Sequence, residues 1–111
     1  MGTQWYSVRS VFRHPGSKDK KTDIYEERIT LWLASSFEEA VVLAETEALN
    51  YASEINCDYS GFSQVYQILQ NEIKSGAEIF SLMRESEKGI NQYIKDYFDT
   101  GREKLRKSNT N

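Results

Sequence analysis

The sequence predicts an α+β fold in two layers: a four-stranded, mainly antiparallel sheet with two helices on one face. Three observations predict it. Four stretches rich in β-branched and aromatic residues, at 5–12, 24–34, 62–69 and 77–84, read as strands. Two others, at 36–55 and 90–98, repeat apolar residues at helical spacing. The resulting order is β-β-α-β-β-α, and two helices with apolar stripes need a sheet face to cover.

The first strand, WYSVRSVF (5–12), sets Tyr6, Val8 and Phe12 on one side and Trp5, Ser7, Arg9 and Val11 on the other. In RHPGSKDKKTD (13–23), Pro15-Gly16 starts a turn and the Lys/Asp cluster reads as a solvated loop. The second strand, IYEERITLWLA (24–34), carries Tyr25, Glu27, Ile29, Leu31 and Leu33 on one face. Its other face carries Ile24, Glu26, Arg28, Thr30 and Trp32. In a hairpin, residues directly opposite point to the same side. Matching the apolar faces sets Tyr6, Val8 and Phe12 beside Tyr25, Ile29 and Leu31. It gathers Trp5, Arg9, Glu26, Arg28, Thr30 and Trp32 on the opposite face, and a slip of one residue breaks the match.

SFEEAVVLAETEALNYASEI (36–55) is the first helix. Ser36 and Glu39 form an S-x-x-E capping box, and acidic residues fill the first turn. Its stripe, including Phe37, Val41, Tyr51 and Ile55, is interleaved with alanines, which suit close approach to a sheet. NCDYSG (56–61) reads as a turn. FSQVYQIL (62–69) and AEIFSLMR (77–84) read as a second hairpin joined by the polar QNEIKSG. INQYIKDYF (90–98) sets Ile90, Tyr93, Ile94, Tyr97 and Phe98 on one helical stripe, with Gly101 as its stop. Residues 1–101 form a single domain on this reading, and 102–111 form a polar basic tail that frays.

Composition limits the classes of function. A chain of 111 residues with 39% hydrophobic residues can bury one core without disulfides. The net charge of -3 gives no attraction to nucleic acid or anionic lipid. Cys57 is the only cysteine, so the chain forms no internal disulfide, and a reducing cytoplasm is expected. No apolar run approaches the length of a membrane span. The opening MGTQWYSVRS has no apolar signal core, and Tyr6 stands where a myristoylation signal wants Ser or Thr. A soluble, cytoplasmic protein is expected.

The blocks WYSVRSVFR, YEERITLW, ASSFEEA, GFSQVYQI, GAEIFSLMR and YFDTG, spread over residues 5 to 101, resemble a family of small bacterial proteins. That family is catalogued only as a domain of unknown function, number 4288. The resemblance implies a bacterial, cytosolic, single-domain protein and carries no activity, substrate or catalytic residue. The Lys-rich 17–22 segment and the basic tail depart from it.

Chemical signatures are sparse. One histidine (His14) and one cysteine (Cys57) do not make a zinc site, and no metal or cofactor is expected. His14 and Cys57 stand in separate loops without a supporting motif. G-x-S-x-G, G-x-x-x-x-G-K and G-x-G-x-x-G are absent. The D-T-G of YFDTG ends a helix, so it reads as a cap. Glu26 and Glu27 are neighbours on a strand and point to opposite faces, so they cannot act as paired acids. Glu27, on the core side, either sits at the wet rim or pairs with a cation such as Arg84.

The face carrying Trp5, Arg9, Glu26, Arg28 and Trp32 is the candidate binding site. Indoles and guanidiniums on one sheet face can stack, and both residue types are enriched at interface hot spots. That face is either an interaction surface or is covered by the C-terminal helix or the 13–23 loop. No RNP-like aromatic-basic motif accompanies it. The expected function is a non-enzymatic interaction module (adaptor, regulator or immunity-type inhibitor), homodimeric through this face. The alternative is a small-ligand binder or enzyme using Arg9, Glu26 and Arg28 in a pocket roofed by the tryptophans.

Overall fold

A computed structural model describes residues 2–16, 22–69 and 72–98. The chain divides into two units, Met1–Ser81 and Leu82–Asn111. The Lys18/Lys20/Lys21 cluster, the Gly101 stop and the basic tail lie outside the described residues.

In the first unit, β1 (Gln4–His14), β2 (Ile24–Ala34) and β3 (Asp58–Gln67) form an antiparallel sheet in the order β2-β1-β3. Helix α1 (Phe37–Ile55) packs on one face. The α+β class and the antiparallel sheet agree with the expectation; the number of strands does not. Residues 77–84 join no ladder, so the described residues hold three strands.

The helix is bounded by local chemistry. Ser36 Oγ accepts from the Glu39 N–H, and the Glu39 carboxylate accepts from the Ser35 N–H and hydroxyl. The capping box therefore closes one residue earlier than the reciprocal form. At the other end Asn56 is left-handed (φ 58°), and the Cys57 N–H donates to the Ala52 carbonyl at 2.9 Å. The face against the sheet is a ridge of small residues, Ala40, Ala44, Ala48 and Ala52, all buried. The ridge meets Tyr6 and Ala34 at one end and Phe12, Tyr59 and Cys57 at the other. Phe12 is fully buried, with Tyr51 and Tyr59 rings 5.0 and 5.4 Å away. Complete burial of such a side chain contributes roughly 1.5–3 kcal/mol.

Strand β3 begins at Asp58, inside the segment expected to turn. Gly61, at φ 83°, allows a bulge in which Ser60, Gly61 and Phe62 together oppose Val11. The glycine is thus absorbed within the strand instead of ending it.

In the second unit, α2 (Ile90–Tyr97) starts at Gly89 without a side-chain cap. Asp96 accepts from Lys88 Nζ and from Gln92 Nε2. Tyr93 and Tyr97 pack with ring centroids 4.7 Å apart, and the Arg84 guanidinium lies 5.4 Å from the Tyr97 ring.

Candidate functional site

The register between β1 and β2 decides where every candidate side chain lies. Tyr6 opposes Trp32, Val8 opposes Thr30, Ser10 opposes Arg28 and Phe12 opposes Glu26. Opposed residues share a side. Glu26, Arg28 and Trp32 therefore stand on the α1 side with Tyr6, Val8 and Phe12. Trp5 and Arg9 stand on the other side, with Glu27, Ile29, Leu31 and Leu33. The expected register is corrected by one residue of parity, and the five expected site residues are divided between two faces.

The reason lies in α1. Its alanine ridge packs over the central strand and reaches β2 at Ala34, while its flank, Glu47 and Tyr51, reaches the polar stripe of β2. Those two side chains satisfy the polar stripe of β2. Arg28 donates to both Glu47 oxygens, at 2.5 and 2.8 Å, and its guanidinium lies 3.8 Å from the Tyr51 ring centroid. The Tyr51 hydroxyl donates to the Glu26 carboxylate at 2.8–2.9 Å, and His14 Nε2 lies 2.9 Å from Glu26 Oε1. The hydrogen bond to Glu47 raises the Arg28 pKa, and the same bond lowers that of Glu47. Glu26 holds the proton on Tyr51 and raises its pKa. Each group in this network is engaged by another. Chemically, the network ties the sheet edge to the helix.

Cys57 packs beside this network, in the Phe12 cluster. Burial pushes its thiol pKa up, and the nearby Glu26 charge adds to the shift. Less thiolate forms at neutral pH, which disfavours nucleophilic use. Among the described residues no cluster of three or more His, Cys, Asp or Glu side chains is placed to hold a metal ion. No helix of the described residues is long and apolar enough to cross a membrane.

The open face is organised by Arg9, on the central strand. Its Nε donates to Gln64 Oε1 on β3 at 3.0 Å, and its Nη1 donates to Glu27 Oε1 on β2 at 3.0 Å. Glu27 is thus at the wet face and pairs with Arg9. The Arg9 guanidinium also lies 5.1 Å from the Phe80 ring, which contacts Tyr66 at 6.1 Å. The buried Ser7 hydroxyl donates to the Ile79 carbonyl. Residues 79–80 therefore cover β1 and β3, in place of the expected fourth strand. Burial raises the Tyr66 pKa, and Glu78 adds to the shift.

On the same face, β2 keeps a partly exposed apolar stripe. Tyr25, Ile29, Leu31 and Leu33 are 63%, 44%, 40% and 49% exposed, all on the open face of an edge strand. An exposed apolar stripe of this kind is the informative departure from ordinary surface. The alternation in the sequence sets these four residues on one face, expected in the core; the register turns that face outward. The signal that could have corrected the expectation was Glu47 and Tyr51, four residues apart on α1 and complementary to Arg28 and Glu26. Where β1 begins and β2 and β3 end, a cleft of about 270 Å³ is lined by Trp5, Leu33, Gln67 and Leu69 among others. The Gln67 amide donates to Gln4 Oε1 at its wall.

Comparison of the chain with family models, curated proteins and solved structures returns no match.

Proposed function

We propose that this protein is a small non-enzymatic protein-interaction module, of the adaptor, regulator or immunity-type inhibitor kind, acting in the bacterial cytoplasm. The observation that carries this reading is the stripe Tyr25, Ile29, Leu31 and Leu33, exposed along an edge strand. Such a strand offers a partner both apolar side chains and unpaired backbone groups, the two components of strand addition. Trp5, opposite Leu33, and Arg9, bonded to Glu27, border the stripe. Glu26 and Arg28 support it from behind by fixing β2 to α1. The resemblance to small bacterial proteins supports the cellular setting.

A second reading follows from the cleft beside Trp5, in which a small ligand would bind. Its volume of about 270 Å³ lies just under the roughly 300–1,000 Å³ of most ligand sites. A native mass spectrum of the purified protein separates the two readings. Under the first, it reports chains without added small mass, and Leu31→Lys breaks the complex, with itself or with another protein, that forms through β2. A monomer that carries a small molecule and loses it on Trp5→Ala overturns the first reading in favour of the second.

A further inference from the structure

Resting on that reading, we infer that the partner is a second copy of this chain, with β2 pairing antiparallel to the β2 of the other copy about a two-fold axis at Ile29. The strand itself supplies the argument. In antiparallel pairing, opposed residues must share a face, so a two-fold axis between identical strands falls on a residue. Ile29 is the midpoint of Ile24–Ala34, so an axis there overlaps the whole strand.

The charges favour the same centre. With the axis at Ile29, Tyr25 opposes Leu33, Glu27 opposes Leu31 and Ile29 opposes itself on the open face. On the helix side, Arg28 opposes Thr30 and Glu26 opposes Trp32. No like charges are directly opposed. The two Arg28 side chains stand on a diagonal, each neutralised by the Glu47 of its own chain. An axis at Glu27 or Arg28 would set like charges face to face, which is destabilising. An axis at Thr30 shortens the overlap and leaves Tyr25 beyond the end of the opposing strand.

Strand β2 itself also lacks most of the usual edge guards. Sheet edges are usually guarded by lysine, proline, bulges or inward charges. Strand β2 has no lysine, proline or glycine, and its register with β1 has no bulge. Its inward charges, Glu26 and Arg28, are already paired with groups of the same chain. The opposite edge, β3, carries the bulge at Gly61.

Cysteine cross-linking of the full chain tests this arrangement. Across an antiparallel pair, opposed Cα atoms lie about 4.5–5.5 Å apart, within disulfide reach. The Ile29→Cys chain is expected to oxidise to a covalent dimer. The yield is expected to exceed that of wild type, whose only thiol is Cys57, by an order of magnitude. Leu31→Cys alone is expected to stay uncoupled, because its two copies are four residues out of register, roughly 13 Å apart. Mixed with Glu27→Cys, it is expected to cross-link. Sedimentation of wild type and Ile29→Lys guards against a variant that fails to fold. Wild type is expected to be a dimer, and the lysines opposed at the axis are expected to weaken it by at least an order of magnitude.

A wild-type dimer that ignores Ile29→Lys and gives no Ile29→Cys cross-link overturns the proposal. So does a wild-type monomer across the concentration range. If that monomer still binds a different protein through Leu31, the interaction module stands and only self-pairing fails. If it binds only a small molecule, both fail.

Discussion

If Arg28 faces α1, it and Glu47 must be energetically coupled, and a double-mutant cycle measures that coupling. Two charge-assisted hydrogen bonds, 2.5 and 2.8 Å long, join side chains that are 26% and 33% exposed. Exposed ion pairs contribute about 0.2–1 kcal/mol, and hydrogen bonds to charged groups up to about 3 kcal/mol. Partial exposure puts this pair near the lower end, at about 1 kcal/mol. Arg28→Ala is expected to cost more than Glu47→Ala, by roughly 0.5–1 kcal/mol, because it also removes the guanidinium stacked on Tyr51. Urea unfolding of wild type, the two single variants and Arg28→Ala/Glu47→Ala gives the coupling. Arg28 lowers the Glu47 pKa in the folded state. The stabilisation is therefore complete above the ordinary carboxylate pKa and is lost as pH falls through the lowered folded value. Coupling is expected at pH 7 and is expected to vanish in acid. Coupling below about 0.3 kcal/mol at pH 7 would refute this register and return Arg28 to the open face.

Two further outcomes follow from single residues. Gly61→Ala is expected to destabilise by about 1 kcal/mol in thermal unfolding. A Cβ at Gly61 meets nothing within 4 Å, so the positive φ of 83° is the whole cause; an unchanged melting temperature would contradict the bulge. Cys57 is expected to alkylate more slowly than a free thiol at neutral pH and to accelerate as pH rises through its raised pKa, read by intact mass against time; a rate equal to free cysteine would place the thiol in solvent.

Much of this fold was legible in the sequence because it is written locally. Strand β2 runs over the expected 24–34, and Ser36 and Glu39 mark the start of α1 through short-range hydrogen bonds. What failed depended on relations between elements. Matching apolar faces assumes that the helix layer covers every strand equally. Here a ridge of alanines lies over the centre, and Glu47 and Tyr51 draw the polar stripe of β2 inward. Gly61 reads as punctuation in sequence, and only pairing with β1 shows that its positive φ serves a bulge. Residues 77–84 have the composition of a strand but no ladder partner; Ile79 and Phe80 find Ser7, Arg9 and Tyr66 on the sheet face instead. The candidate site was half legible. Trp5 and Arg9 do belong to the open face, while the apolar residues that dominate it carry, in sequence, the signature of a core face.

The central claim is that the outer edge and open face of β2 form a protein-contact surface. Hydrogen exchange of the full chain, read peptide by peptide over a range of protein concentrations, tests it most directly. Protection across 24–34 is expected to rise with concentration while that of β3 and α1 stays constant. Concentration-dependent protection confined to β3 or α1, with β2 unchanged, would contradict it.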